Sequence, residues 1–144
     1  MKYILCVICV SAVAILLVSV NAGEEEENML RQVAGGCINE TGASDEDVAR
    51  MANKKLPATP EGKCFTFCVL HLFNCLTEDG NFQQEDFMNL MRMGIDNDTV
   101  LAACDEVSKK CVGTKSSDDN NCETAALLVK CLDDGAKEAG YEKF

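Results

Sequence analysis

The stretch KCFTFCVLHLFNC, Lys63 to Cys75, places three cysteines and the only histidine of the chain in thirteen consecutive positions. Its pattern is C-x3-C-x2-H-x3-C, so successive members are three or four residues apart. An α-helix turns by about 100° per residue, and this spacing therefore puts four side chains on one stripe: Cys64, Cys68, His71 and Cys75. The stretch predicts a helix whose cysteine stripe forms a metal site, a redox site or a set of disulfides.

A metal site is disfavoured by the length of the stripe. Three thiolates and one imidazole are an acceptable set for a structural zinc ion, but four ligands over three helical turns span about 16 Å. Zinc bonds are only about 2.0–2.3 Å long. The chain after the leader described next also contains no C-x-x-C redox pair. We therefore expect no metal and no cofactor, and interpret the stripe as disulfides.

The first 22 residues have the features of a secretory signal peptide. Lys2 provides a positive start, an apolar run follows from Tyr3 to Val20, and Val20-Asn21-Ala22 is a small-residue cleavage site. An uncleaved signal anchor is the competing interpretation, because the run approaches membrane-spanning length. The acidic Glu24–Glu27 run that follows favours cleavage after Ala22. We expect a secreted, extracellular protein whose residues 23–144 form a single domain.

Composition narrows the function classes. Cys6 and Cys9 lie in the leader, so eight of the ten cysteines remain, an even number that is typical of a disulfide framework in a secreted protein. The formal net charge of −11 argues against nucleic acid and against anionic membranes, since both select for lysine and arginine. A soluble extracellular protein is expected.

Helical periodicity dominates, and no sustained alternation typical of strands is present. Capping signals and apolar spacing predict six helices and an all-α fold; their approximate ranges are 26–39, 44–53, 63–76, 83–93, 96–111 and 122–138. The third helix is apolar on nearly every side, so we expect it to be central and buried.

Helix geometry limits how the cysteines pair. Side chains one turn apart have Cβ atoms about 5–6 Å apart, whereas a disulfide needs about 3.5–4.5 Å, so pairs within one helix are excluded. Many connectivities remain open after this step. Cys122 and Cys131 lie about 180° apart around the last helix, so we expect their bonds to clamp it between two neighbours.

The cysteine spacing resembles the six-cysteine pattern of the insect odorant-binding proteins, which bind pheromones and general odorants. The matching pattern is Cys37-x26-Cys64-x3-Cys68-x42-Cys111-x10-Cys122-x8-Cys131, and the resemblance covers nearly all of residues 23–144. It implies a compact six-helix domain that encloses an apolar cavity. It also implies three disulfides: Cys37–Cys68, Cys64–Cys122 and Cys111–Cys131.

Two cysteines fall outside that pattern. Cys75 and Cys104 are left over once the six are paired, and we expect them to form a fourth disulfide because unpaired thiols are rare in secreted proteins. The alternative is two buried free thiols.

The resemblance implies a carrier of small hydrophobic molecules such as odorants, pheromones or related semiochemicals. Large and soft apolar side chains suit an adaptable pocket. Helix faces and family likeness together give eight candidate lining residues: Leu70, Phe73, Phe87, Leu90, Met91, Leu101, Leu128 and Phe144. Their alternative role is a filled core.

Two further features bear on regulation and modification. A pH-dependent release switch would involve either His71, whose alternative role is a satisfied structural histidine, or the carboxylate of the tail at Phe144. Asn39-Glu40-Thr41 and Asn97-Asp98-Thr99 satisfy the glycosylation sequon. Both also lie at helix ends, where asparagine and threonine serve as caps.

An enzyme is not expected. The His-Asp pair of a secreted phospholipase A2 is missing, because Leu72 follows His71, and no catalytic triad remains once the cysteines are paired. The competing class is a salivary, venom or reproductive interaction or sequestration protein on the same scaffold. Expected partners are a small hydrophobic ligand and a membrane chemoreceptor, and the expected state is a monomer or weak homodimer.

Overall fold

The computed structural model describes residues 22–141 and has the expected all-α fold. Its described part contains seven α-helices: α1 (Ala22–Val33), α2 (Gly35–Thr41), α3 (Asp45–Ala52), α4 (Pro60–Leu72), α5 (Gln84–Gly94), α6 (Asp98–Lys110) and α7 (Asn121–Glu138). The expected leader and the Phe144 tail lie outside the described residues, except that Ala22 begins α1.

The single first helix expected over residues 26–39 is in fact two helices. Ala34 interrupts it with φ −110° and ψ 21°, and α2 starts afresh at Gly35. Gly35 and Gly36 follow the break, and glycine has weak helix propensity. Interrupting the helix here therefore costs little. The break turns α2 so that Cys37 faces α4.

The central helix α4 begins earlier and ends earlier than expected. We expected Pro60 in a linker, but Pro60 is the first helical residue, where its missing N–H has no cost. Thr59 caps the helix, because its Oγ1 accepts a hydrogen bond from the backbone N–H of Gly62 at 2.9 Å. The helix ends at Leu72, and Asn74 then adopts a left-handed conformation with φ 58°. Cys75 is therefore beyond the helix and does not belong to its stripe.

The starts of α6 and α7 follow from asparagine caps. Asn97 Oδ1 accepts from the backbone N–H of Thr99 at 2.9 Å and of Val100 at 3.2 Å. Asn120 does the same for Cys122 and Glu123. The cap predicted around Asn97 is confirmed.

The core is built around α4, which packs most extensively against α7, while α2 and α3 also contact α4 and α6 contacts both α5 and α7. Phe65 and Val69 on α4 and Ala125 and Val129 on α7 are completely buried. The central position predicted for this helix is confirmed. Its last turn is not buried, since Leu72 is 49% exposed and His71 is also exposed.

Three disulfides tie these helices together as the resemblance implied. They join Cys37 to Cys68, Cys64 to Cys122 and Cys111 to Cys131. The last two hold α7 to α4 and to the end of α6. The expectation that Cys122 and Cys131 clamp the last helix between two neighbours is therefore confirmed.

The expected fourth disulfide between Cys75 and Cys104 is not formed. Cys75 carries a free and completely buried thiol. Burial, with a smaller effect of Asp86, raises the pKa of this thiol to about 12. Cys104 is disulfide-bonded, but not to Cys75. The expectation also placed Cys75 at the end of a helix, whereas the helix ends at Leu72, three residues earlier.

Candidate functional site

The predicted pocket residues collect in one apolar core. Four of them, Leu70, Phe87, Met91 and Leu128, are at most 2% exposed and belong to a single cluster of buried residues. They come from α4, α5 and α7, which are far apart in sequence. Tertiary packing therefore brings together residues that the sequence could only nominate separately.

Three further candidates lie at the boundary of this core. Phe73, Leu90 and Leu101 are partly buried and pack against the cluster. Phe144 lies outside the described residues. That the seven described residues line a ligand cavity, rather than a filled core, stays a prediction.

The core contains residues that sequence reasoning left out of the candidate set. Met88 is 2% exposed, Leu76 is 1% exposed and Val100 is completely buried. Val100, Cys104 and Val107 follow i, i+4, i+7 spacing along α6, and this periodicity was the available signal. Leu76 belonged to the predicted buried helix over 63–76, but it lies after α4 and pairs with Phe82 in an isolated bridge.

Soft side chains dominate the α5 wall of the core. Met88 and Met91 are buried beside Phe87, whose ring meets Phe82 edge-on at a centroid distance of 5.5 Å. Methionine has three rotatable bonds and a polarisable sulfur, so it repacks around irregular apolar shapes. The two methionines therefore make this wall of the core adaptable in shape.

His71 is held by local contacts outside this core. Its ring stacks on Phe67 with centroids 5.9 Å apart and an interplanar angle of 7°. Its Nδ1 lies 2.9 Å from the carbonyl oxygen of Leu76, which can only accept, so Nδ1 carries the proton of the neutral ring. The histidine is structurally satisfied, but it is exposed rather than buried as expected.

Two charged side chains, one on α1 and one in the loop after α3, influence each other's pKa. Glu26 is only 7% exposed, and burial raises its pKa against the opposing influence of Lys54. Burial likewise lowers the pKa of Lys54, against the influence of Glu26. In both cases desolvation outweighs the attraction between the two charges.

Residues 22–141 show neither a metal site nor a membrane-spanning helix. Within that range, no group of three or more histidine, cysteine, aspartate or glutamate side chains is arranged to hold a metal ion. The helices of the same range are all too short or too polar to cross a membrane.

A family profile described as the PBP/GOBP family matches residues 20–134. The chain belongs to the PBP/GOBP family. General odorant-binding protein 19d of Drosophila melanogaster is 30% identical over 135 residues, which cover 90% of this chain and 89% of the relative.

Solved structures agree with this assignment. Odorant-binding protein 28a of Drosophila melanogaster has a TM-score of 0.68 and 27% identity, and the match covers 82% of this chain and 98% of that one. Odorant-binding protein 7 of Anopheles gambiae, which has four disulfide bridges and was solved with an azo compound, has a TM-score of 0.60 and 25% identity over 81% of this chain and 89% of that one. These PBP/GOBP relatives are named as odorant-binding proteins and not as enzymes, in line with the expectation from the sequence.

Proposed function

We propose that this PBP/GOBP protein is a secreted carrier that binds small hydrophobic molecules, such as odorants, pheromones or related semiochemicals, within its apolar core. The observation that carries the proposal is family membership combined with the collection of seven candidate residues in one core. The solved Anopheles relative was determined in complex with an azo compound.

Binding in the core would be driven mainly by burial of apolar surface. Such burial contributes about 25 cal/mol per Å² before the entropic costs of association. The three disulfides hold α2, α4, α6 and α7 together, so the frame can stay intact while Met88 and Met91 repack around the guest. We expect Leu101, at the edge of the core, to contact the guest.

Secretion is part of the same proposal. A leader cut after Ala22 would deliver the chain to an oxidising compartment, in which disulfides form and persist. Expression of the full-length chain in secreting cells, followed by intact-mass measurement of the protein in the medium, tests this directly. The expected mass corresponds to residues 23–144 with three or more disulfides, and protein retained in the membrane fraction would contradict secretion.

Ligand binding is tested on that secreted protein by displacement of the neutral fluorescent probe N-phenyl-1-naphthylamine by volatile apolar compounds. We expect displacement in the micromolar range. A Leu101→Trp variant should weaken displacement at least tenfold, because the larger ring fills the edge of the core. Leu127→Trp is the matched control, since Leu127 is 42% exposed and lies outside the core cluster, and it should bind normally.

Failure of every probe to bind to protein with intact disulfides would mean that the core is filled. The interaction or sequestration role on the same scaffold would then replace the carrier. Repeating the displacement at pH 5 tests for a release switch, and His71→Gln separates the histidine from the tail carboxylate as its source.

A further inference from the structure

A groove lies beside the stripe of α4 that carries Cys68 and His71, and none of the seven described candidate pocket residues lines it. Its volume is about 280 Å³, and it runs between the α1–α2 junction and the last turn of α4. The disulfide between Cys37 and Cys68 lines it, as do Val33 and Leu72. These last two side chains are 46% and 49% exposed, so apolar surface faces water here.

The groove exists because of the helix break described above. The chain turns at Ala34, and Gly36 on α2 lines the groove without a side chain. A Cβ atom added at Gly36 would meet nothing within 4 Å. The volume is just below the range of about 300–1,000 Å³ that is usual for small-molecule pockets, which fits a small ligand rather than a peptide.

Among the residues of 22–141 that line the groove, Glu40 and His71 are the ionisable side chains that can change charge, and both present acceptors. A carboxylate only accepts hydrogen bonds. Glu40 Oε2 lies 3.9 Å from Cys68 Sγ, a disulfide sulfur that has no proton to donate. His71 uses its Nδ1–H on the carbonyl of Leu76. The neutral ring therefore offers Nε2 as a second acceptor.

The complement to this arrangement is a cation with several N–H donors and an apolar body. An ammonium group supplies three donors, and the formal net charge of −11 favours cations over anions in the surrounding field. We propose that this groove, which we call the disulfide groove, is a second binding site that takes small amphipathic amines. It is separate from the proposed carrier core and does not require the core to bind anything.

The test is titration of the secreted, isotope-labelled protein with tryptamine, followed by amide chemical shifts. We expect shifts at Val33, Gly36 and Leu72 with a Kd of about 1 mM, as befits a half-open site for a small ligand. The neutral analogue 3-ethylindole should bind about fivefold more weakly, because a partly exposed ion pair contributes a factor of about five to affinity. The anion indole-3-propionate should not bind, because Glu40 repels it.

Two matched pairs of variants locate the site. Gly36→Leu should abolish the shifts by filling the groove, whereas Gly35→Leu should leave them unchanged, since Gly35 has equally open space but does not line the groove. Glu40→Gln should weaken tryptamine about fivefold and leave 3-ethylindole unaffected. Glu61→Gln, an exposed carboxylate on α4, should change neither.

Several outcomes would overturn the proposal. Equal effects of Glu40→Gln and Glu61→Gln would mean diffuse attraction to an acidic protein. Shifts confined to core residues such as Leu128 would place the amine in the carrier core. If the amide shifts of the groove residues change with protein concentration in the absence of tryptamine, the occupant of the disulfide groove is a second copy of the chain. Loss of probe binding to the core would leave the groove titration unaffected, so the two proposals fail independently.

Discussion

Replacement of Asp47 by alanine should reveal how strongly one buried carboxylate couples two helix starts. Asp47 is 6% exposed. Its Oδ2 accepts from Ser44 N at 2.9 Å and from Ser44 Oγ at 2.8 Å, forming the capping box of α3. Its Oδ1 accepts from Thr59 Oγ1 at 2.5 Å, and Thr59 is the cap of α4.

The magnitude follows from these contacts. The capping box contributes about 1 kcal/mol, and a hydrogen bond from Thr59 to a charged acceptor contributes about 1.5 kcal/mol. We therefore expect Asp47→Ala to lower the free energy of unfolding by about 2.5 kcal/mol. Asp45→Ala is the matched control on the same helix. Its side chain is 92% exposed and pairs with Arg31 at 2.9 Å, and the cost should stay below about 1 kcal/mol.

The pH dependence has a definite sign. Burial acts to raise the pKa of Asp47, but hydrogen bonds from Thr59 and Ser44 and the charge of Arg50 outweigh it and hold that pKa below its usual value. The unfolded value is about 3.9. The contribution is therefore complete above about pH 4 and is lost as the pH falls through the lower folded value.

Urea unfolding of the disulfide-intact protein measures these quantities, and a double-mutant cycle with Thr59→Ala isolates the Asp47–Thr59 bond. We expect a coupling energy of about 1.5 kcal/mol, the hydrogen-bond contribution used above. Additivity of the two substitutions within about 0.3 kcal/mol would refute the reasoning, as would an Asp47→Ala variant as stable as the Asp45→Ala control.

Three further predictions concern charge, packing and the free thiol. Desolvation outweighs attraction for both Glu26 and Lys54, so Lys54→Met alone should lower the free energy of unfolding, and adding Glu26→Gln should restore it at neutral pH. In the wild type the pKa of Glu26 is raised on folding. Stability should therefore fall as the pH rises from the pKa of Glu26 in the unfolded chain through its higher pKa in the folded protein. A Cβ at Gly135 would lie 2.6 Å from Val107 Cγ1, so Gly135→Ala should lower the melting temperature through about 1–3 kcal/mol of overpacking, and Val107→Ala in the same chain should recover part of it; a melting temperature that rises would contradict close α6–α7 packing. The Cys75 thiol, buried and with a pKa of about 12, should resist Ellman's reagent at pH 8 until denaturant is added, and rapid labelling of the native protein would show that this site opens.

Local sequence determined the helical class and most helix starts. The caps at Asn97 and Ser44 depend on side chains next to the helices that they start, so they are visible without the fold. Helix geometry also excluded disulfides within one helix. Resemblance then supplied the pairing that helix geometry alone left open.

Tertiary structure decided the break at Ala34 and the end of α4 at Leu72. Both depend on which helices pack against the chain there, and no short-range pattern encodes that choice. The first opens the disulfide groove, and the second leaves Cys75 as a buried thiol outside the helix. The sequence by itself therefore determined the helical class and most of the helix starts, and the family resemblance supplied the pairing of six cysteines. Only packing between residues distant in the chain decided which apolar side chains share one core and which remain exposed, because burial is set by neighbours that are far away in sequence.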